Sequence, residues 1–159
     1  MAIEIERKFL VEGEAWRSAV SVSRRIRQFY LCEDKQASIR VRISDDRHAW
    51  LTIKSATAGL RRSEFEYAIP LEDANAMAQL AQGDIVEKVR NLVPMGGVCW
   101  EVDVFSGENS GLVVAEVELS SEDQTVALPD WIGCEVTDDP RYQNASLALH
   151  PYARWGSTR

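Results

Sequence analysis

Hydrophobic and polar residues alternate with a period of two in segment after segment of this chain. That is the pattern of β-strands whose two faces meet unlike surroundings. In Ile3 to Val11, Glu4, Glu6 and Lys8 alternate with Ile3, Ile5, Phe9 and Val11, and Arg7 is the exception. Further strands are predicted over Ser38 to Ile43, Ala49 to Lys54, Arg62 to Ile69, Ile85 to Leu92, Val98 to Phe105 and Leu112 to Leu119, with a weaker one over Gln28 to Cys32. The turn-forming runs Ser44–Arg47, Pro94–Gly97 and Ser106–Gly111 separate neighbours, which predicts antiparallel hairpins. Some eight strands suffice for a closed or nearly closed sheet. Helices are few. One is predicted over Leu71 to Gln82 with Gly83 as its stop, and Ser121 with Gln124 forms a capping box for a short one ending before Pro129. Asp139-Pro140 opens another that reaches Leu149, and Glu14 to Val20 holds a further turn or two. The predicted class is α+β with strands dominant, as one domain over residues 1–150 and a frayed tail over 151–159.

Side chains alternate strictly along a strand, so residues at i and i+2 share a face. One face thereby collects Glu4, Glu6 and Lys8; Arg40 and Arg42; Thr52 and Lys54; Arg62, Glu64 and Glu66; Lys88 and Arg90; Glu101 and Asp103; Glu116 and Glu118. A two-sided sheet with one face in water also alternates, and parity alone leaves both readings open. Two details favour a charged interior. These positions are almost all ionisable, whereas solvated faces mix in Ser, Thr, Asn and Gln. Like charges also recur within single strands, which costs stability unless opposite charge lies between them.

Composition narrows the partners. The chain has 159 residues, 45% hydrophobic and 27% charged, ordinary values for a globular domain. Its net charge of −7 argues against nucleic acid and anionic membranes unless the bases are gathered in one place. The charged face carries eight acids and seven bases, so it gathers them. No apolar run approaches the ~18 residues that cross a bilayer, and the opening MAIEIERKFL has acids where a secretion signal needs an apolar core. Cys32, Cys99 and Cys134 are odd in number and widely spaced, as expected of reduced thiols in the cytoplasm; Cys99 and Cys134 are expected to pack. His48 and His150 are the only histidines, which argues against a zinc site of the usual kind. Carboxylate oxygens are the ligands Mg²⁺ or Mn²⁺ prefers, and arginine and lysine hold phosphate. Acids that hold metal, with metal and bases that hold phosphate, form one coherent site.

The charged segments also follow a recognisable order. Glu4-Ile5-Glu6-Arg7-Lys8, Arg40-Val41-Arg42, Lys54, Arg62-Ser63-Glu64-Phe65-Glu66, Glu87-Lys88-Val89-Arg90, Glu101-Val102-Asp103 and Glu116-Val117-Glu118 resemble the motif set of the CYTH superfamily, the triphosphate tunnel metalloenzymes, from its N-terminal ExExK signature onward. The match runs from residue 3 to about residue 149. The resemblance implies an eight-stranded antiparallel tunnel with the charged parity inward, and divalent-metal-dependent work on a triphosphate. It implies Glu4 and Glu6 as metal ligands, Glu116 and Glu118 on a facing wall, and Glu64, Glu66, Glu101 and Asp103 completing the metal shells or orienting water. Lys8, Arg40, Arg42, Lys54, Arg62, Lys88 and Arg90 become the phosphate cradle, with Lys88 or Lys8 assisting the leaving group and Tyr30 near the tunnel. Relatives with a lysine in the last helix differ from this chain at Gln143. Arg61 is expected to be exposed in a loop, and the five tryptophans to pack rather than stack on bases.

Among family members the small bacterial inorganic triphosphatases are the nearest in plan. The expected activity is hydrolysis of inorganic triphosphate to pyrophosphate and phosphate, by a monomer or homodimer. Thiamine triphosphate or nucleoside triphosphate hydrolysis, a class IV adenylyl cyclase, and a non-catalytic polyphosphate- or nucleotide-binding module are the alternatives.

Overall fold

Among the described residues, nine strands build one antiparallel sheet that closes on itself. The computed structural model of the chain describes residues 2–55 and 61–156. The strands are β1 (Ala2–Val11), β2 (Val22–Glu33), β3 (Ala37–Ser44), β4 (His48–Ser55), β5 (Arg61–Ile69), β6 (Gln82–Met95), β7 (Val98–Ser106), β8 (Val113–Glu118) and β9 (Ile132–Glu135). Around the barrel they run β5-β4-β3-β2-β6-β7-β8-β1, and β1 returns to β5. Glu4 sits opposite Arg62 at that closure, while Glu6 sits opposite Glu118 on β8. β9 is the ninth strand, pairing with the far end of β1 beyond the eight-stranded barrel. Its four residues, Ile-Gly-Cys-Glu, are too short to show a period, so alternation does not reveal it.

The hairpin at Ser44–Arg47 has the predicted turn chemistry. Asp45 and Asp46 hold φ of 54° and 53°, the left-handed pair that suits the twist of a tight hairpin. Gly96 and Gly97 do the same between β6 and β7.

The hydrophobic core lies largely outside the barrel. Outward residues of β1, β6, β7 and β8, including Phe9, Val93, Trp100, Val102 and Val117, pack with Trp16, Val126 and Trp131. The rings of Phe9 and Trp131 meet Trp100 edge to face at centroid distances of 5.7 and 5.8 Å. A second outer cluster places α1 (Leu71–Met77) over β2, β3 and β4 through Ala74, Phe29, Val41, Ile43 and Ala49. A third cluster, of Val86, Phe105 and Val114 with Tyr142, Leu147 and Ala148, packs α2 (Asn144–Leu149) against one end of the lumen.

Several helix expectations are corrected. The helix from Leu71 ends at Met77 and continues only as a 3₁₀ turn to Leu80; Gly83 is no stop but the second residue of β6. Its φ of +75° and its closeness to α2 explain the glycine: a Cβ there would lie 2.5 Å from the Ala148 carbonyl oxygen. No helix follows Ser121. The Gln124 side chain instead accepts hydrogen bonds from the Ser120 backbone N–H and hydroxyl, at 2.6 and 2.9 Å. The chain then runs on to bury Val126 and Trp131. Asp139 caps a 3₁₀ turn at Pro140–Tyr142 by accepting from the Arg141 N–H, but Gln143 is extended and breaks it from α2. The expected frayed tail is packed as far as it is described. Pro151 is buried, and Trp155 meets Tyr142 and Tyr152 edge to face at 5.2 and 5.0 Å; residues 157–159 lie outside the described residues. Cys99 and Cys134 do not pack: both are exposed. Arg61 lies not in a loop but at the start of β5, across from Ile5; its side chain lies outside the described residues.

Candidate functional site

The charged parity faces inward and lines a cavity of about 420 Å³ in the barrel lumen, within the ~300–1,000 Å³ usual for small-molecule sites. From β1 come Glu4, Glu6 and Lys8; from β3 and β4, Arg40, Arg42 and Lys54; from β5, Arg62, Glu64 and Glu66. The far wall adds Arg90 on β6, Glu101 on β7, and Glu116 and Glu118 on β8. Tyr30 lines it from β2. The remaining two sequence-derived positions lie behind that wall. Lys88 and Asp103 are 2% and 1% exposed and sit outside the lining.

Charge is compensated in layers. Deepest is Asp103, whose carboxylate accepts two hydrogen bonds from Arg90 at 2.8 Å each and stands 2.7 Å from the Lys88 ammonium. Burial pushes its carboxyl up, but Arg90 and Lys88 outweigh that and hold it below the ordinary range. Lys88 also donates to Asn144 Oδ1 at 3.1 Å, and burial drops its pKa to about 7 although Asp103 works against the fall. Arg90 reaches Glu101 at 3.2 Å and Glu116 at 4.0 Å. Nearer the cavity, Lys8 stands 3.4 Å from Glu116 and donates to the Tyr142 carbonyl at 3.0 Å. Burial opposes ionisation of Glu116, yet Lys8, Arg90 and Lys88 hold its carboxyl well below the usual value. Lys54 sits 2.9 Å from Glu4 and 3.5 Å from Glu64. Lys54 also outweighs burial at Glu4, whose carboxyl is lowered.

Two groups stand apart from this pairing. Glu6 has an acidic environment, and burial together with Glu116 and Glu4 lifts its pKa to about 8. The second group is Arg40 and Arg42. Among the described residues they make no ion pair; Arg40 donates to the Thr52 hydroxyl at 3.3 Å and Arg42 to the Gln28 side-chain oxygen at 2.9 Å. Arg40 Nε is buried without a hydrogen-bond partner among the described residues. The lumen therefore carries, on walls of one cavity, a carboxyl kept from ionising by its acidic neighbours and arginines with surplus positive charge.

Such a lumen suits an anion bound together with a hard cation. The acids present only oxygen donors, and a cation beside Glu6 would let it ionise. Among the described residues, no three acids already stand at ligating distances from one point, because Glu4 and Glu116 are turned onto Lys54 and Lys8. A cation held by Glu4 and Glu116 would compete with Lys54 and Lys8 for those carboxylates and would free the ammonium groups for an anion.

Comparison with known proteins decides the lineage. The CYTH domain profile matches residues 2–152. This chain belongs to the CYTH family. It is 45% identical over 153 residues to an inorganic triphosphatase of Acetivibrio thermocellus, covering 96% of this chain and 97% of that one. An inorganic triphosphatase of Nitrosomonas europaea is 38% identical over 153 residues, covering 92% and 97%. The crystal structure of an inorganic triphosphatase superposes with a TM-score of 0.64 at 36% identity, over 94% of this chain and 96% of the other. A Pyrococcus furiosus protein at 20% identity and TM-score 0.61, covering 76% and 80%, shares the fold.

Within the CYTH barrel, the structure also shows a role for polar residues that carry no charge. Gln28, which the search for charge pairs passed over, is fully buried beside Arg42; its inward parity is the signal that finds it. Thr52, on the charged face as expected, bridges Arg40 to Glu66 by donating to its carboxylate at 3.1 Å. Gln143 and Asn144 enter the cavity wall from the start of α2, which strand periodicity cannot reveal. The tryptophans take no part in the lining: Trp16, Trp100 and Trp131 are core, Trp50 lies by His48, and Trp155 by Tyr142.

Proposed function

We propose that this CYTH protein hydrolyses inorganic triphosphate to pyrophosphate and phosphate with Mg²⁺ or Mn²⁺. The observation that carries the proposal is the pairing, in one cavity, of acid-surplus and arginine-surplus walls. Triphosphate with a divalent ion supplies both missing charges. The names of the relatives at 45% and 38% identity point the same way. Among described lining residues Tyr30 is the one aromatic, so the cavity offers little to grip a nucleobase or a thiazole ring, which favours the inorganic substrate.

Glu4, Glu6 and Glu116 are the first candidates to hold the metal, with Glu64, Glu66, Glu101 and Glu118 within the same cavity. Asp103 is assigned instead to holding Arg90 and Lys88. A bound divalent ion would neutralise phosphate oxygens and acidify a water. Arg40, Arg42 and Arg62 grip the phosphate chain through charge-assisted hydrogen bonds, in the bound substrate and in the transition state alike. Water attacks the terminal phosphorus as the bond to the bridging oxygen breaks, and pyrophosphate leaves with its charge balanced by Lys54 and Arg90. Lys8 faces the cavity, which supports a role for it at the leaving group; Lys88 lies one layer behind, in contact with Asp103 and Asn144, which supports an indirect role. Three unpaired cysteines fit a reducing compartment, and we place the enzyme in the cytoplasm.

The test is phosphate release from inorganic triphosphate, ATP, thiamine triphosphate and pyrophosphate with Mg²⁺, Mn²⁺ or EDTA. Turnover of inorganic triphosphate that needs the metal and exceeds that of the others is expected. Cyclic AMP from ATP would mean a cyclase, and binding of triphosphate without turnover would mean a receptor.

A further inference from the structure

Most of the lumen cations are held by acids, and Arg42 is held by an amide. Gln28 lies directly across the β2–β3 ladder from Arg42, is 0% exposed, and accepts from Arg42 Nε at 2.9 Å. Its other atom, Nε2, lies 3.5 Å from the Tyr30 hydroxyl. The polarity of this chain is forced. Guanidinium can only donate, so the Gln28 oxygen must face Arg42 and its NH₂ must face Tyr30. The Tyr30 oxygen then accepts, and its own proton is free to point into the cavity that Tyr30 lines.

We propose that Gln28 is a positioning residue that holds Arg42 with a neutral acceptor, so that both Arg42 and Tyr30 present unspent donors to the triphosphate. The inference rests on the phosphate-binding reading above and adds to it the reason for an amide at this position. A carboxylate of the same shape would neutralise Arg42 and also accept a hydrogen bond from the Tyr30 hydroxyl, turning that donor away from the cavity. An apolar side chain of the same length would leave Arg42 Nε buried without a partner. Burial already presses on this guanidinium, with Arg40 and Arg90 adding repulsion, and its pKa falls to about 9. The arginine keeps its charge there without a paired acid, as a site awaiting an anion requires.

The experiment measures tripolyphosphate binding by titration calorimetry in EDTA, and KM and kcat with Mg²⁺, for wild type, Q28E, Q28M, R42M and the two double variants. Q28E is expected to weaken tripolyphosphate binding about tenfold to a hundredfold, the worth of one charge-assisted contact. The loss should appear in KM far more than in kcat. In the R42M background the Q28E and Q28M penalties should shrink sharply, because their partner is gone. Unchanged binding in Q28E, or penalties that simply add to that of R42M, would overturn the proposal. If Q28E does not fold, the Q28M cycle decides by the same criterion. Wild-type binding without hydrolysis would fail the triphosphatase reading alone, whereas absence of any tripolyphosphate binding would fail both.

Discussion

Glu6→Gln should make the metal-free protein more stable while removing its metal-dependent activity. The Glu6 carboxyl has a folded pKa of about 8 against an ordinary 4.5, raised by burial and by Glu116 and Glu4. Between those values the folded chain keeps a proton that the unfolded chain has released, so stability falls as pH rises from about 4.5 to 8 and stays low above it. At about 1.4 kcal/mol for each tenfold change in proton affinity, the ceiling on that loss is about 5 kcal/mol. Glu6 is only partly buried and faces a lumen open to water, so screening trims the loss to roughly 1–3 kcal/mol. Glutamine keeps the shape and carries no charge. At this chain length about 1 kcal/mol moves the melting temperature by roughly 2–4 °C. In EDTA at pH 8.5, Glu6→Gln should therefore melt some 3–10 °C above wild type, with the gap closing by pH 5. Differential scanning fluorimetry across pH reads this directly. A variant no more stable than wild type at pH 8.5, or a gap independent of pH, would refute the picture of mutually repelling lumen acids.

Three further outcomes follow from the same structure. Asp103→Asn should have the opposite effect, lowering stability by about 3–5 kcal/mol because it strips the acid from two buried cations; urea denaturation measures the loss, and a change under 1 kcal/mol would contradict it. Gly83→Ala should lower the melting temperature by several degrees, since its Cβ meets the Ala148 carbonyl oxygen at 2.5 Å and φ is +75°; a neutral result would show that α2 shifts freely on β6. Trp100→Ala, in the outer core between Phe9 and Trp131, should cost about 3–5 kcal/mol and leave KM for triphosphate nearly unchanged in whatever fraction stays folded, as steady-state kinetics below the melting transition will show.

The inner face of the barrel was legible because i, i+2 charge pairs such as Arg40/Arg42 and Glu116/Glu118 survive in any register. Alternation could not say which face was inside, and the reason is visible at Trp100 and Val102. They are outward residues of a barrel strand, yet 0% exposed, because residues 119–131 lie over them without forming a helix. A covering segment with no period of its own leaves no trace in a pattern search. The same limit hid β9 and split the last helix at Gln143, where an extended residue carries the chain into the cavity wall. Asp103 looked like its neighbour Glu101 two residues earlier. Packing separates them: Glu101 reaches the cavity, and Asp103 is enclosed by Arg90 and Lys88. Side-chain partners across strands are set by register, which the one-dimensional pattern does not hold.

Placing the hydrophobic core outside the barrel changes what the lumen is free to do. In most sheets the inward face must be apolar because it supplies the stabilising burial. Here Phe9, Trp100, Trp131 and the α1 contacts supply it from the outer face, so the inner face can hold charge. The cost of that charge is contained by the Asp103–Arg90–Lys88 layer, where every partner is satisfied. Among the described residues, the layer facing the cavity is the one left unbalanced, with Glu6 short of positive charge and Arg40 and Arg42 short of negative. Balancing either wall alone inside the protein would stabilise the fold and remove its reason to bind. A ligand that brings both signs at once, a polyphosphate with its divalent ion, relieves the two walls together. On this view the binding energy of the site is drawn from the imbalance that its scaffold is built to tolerate.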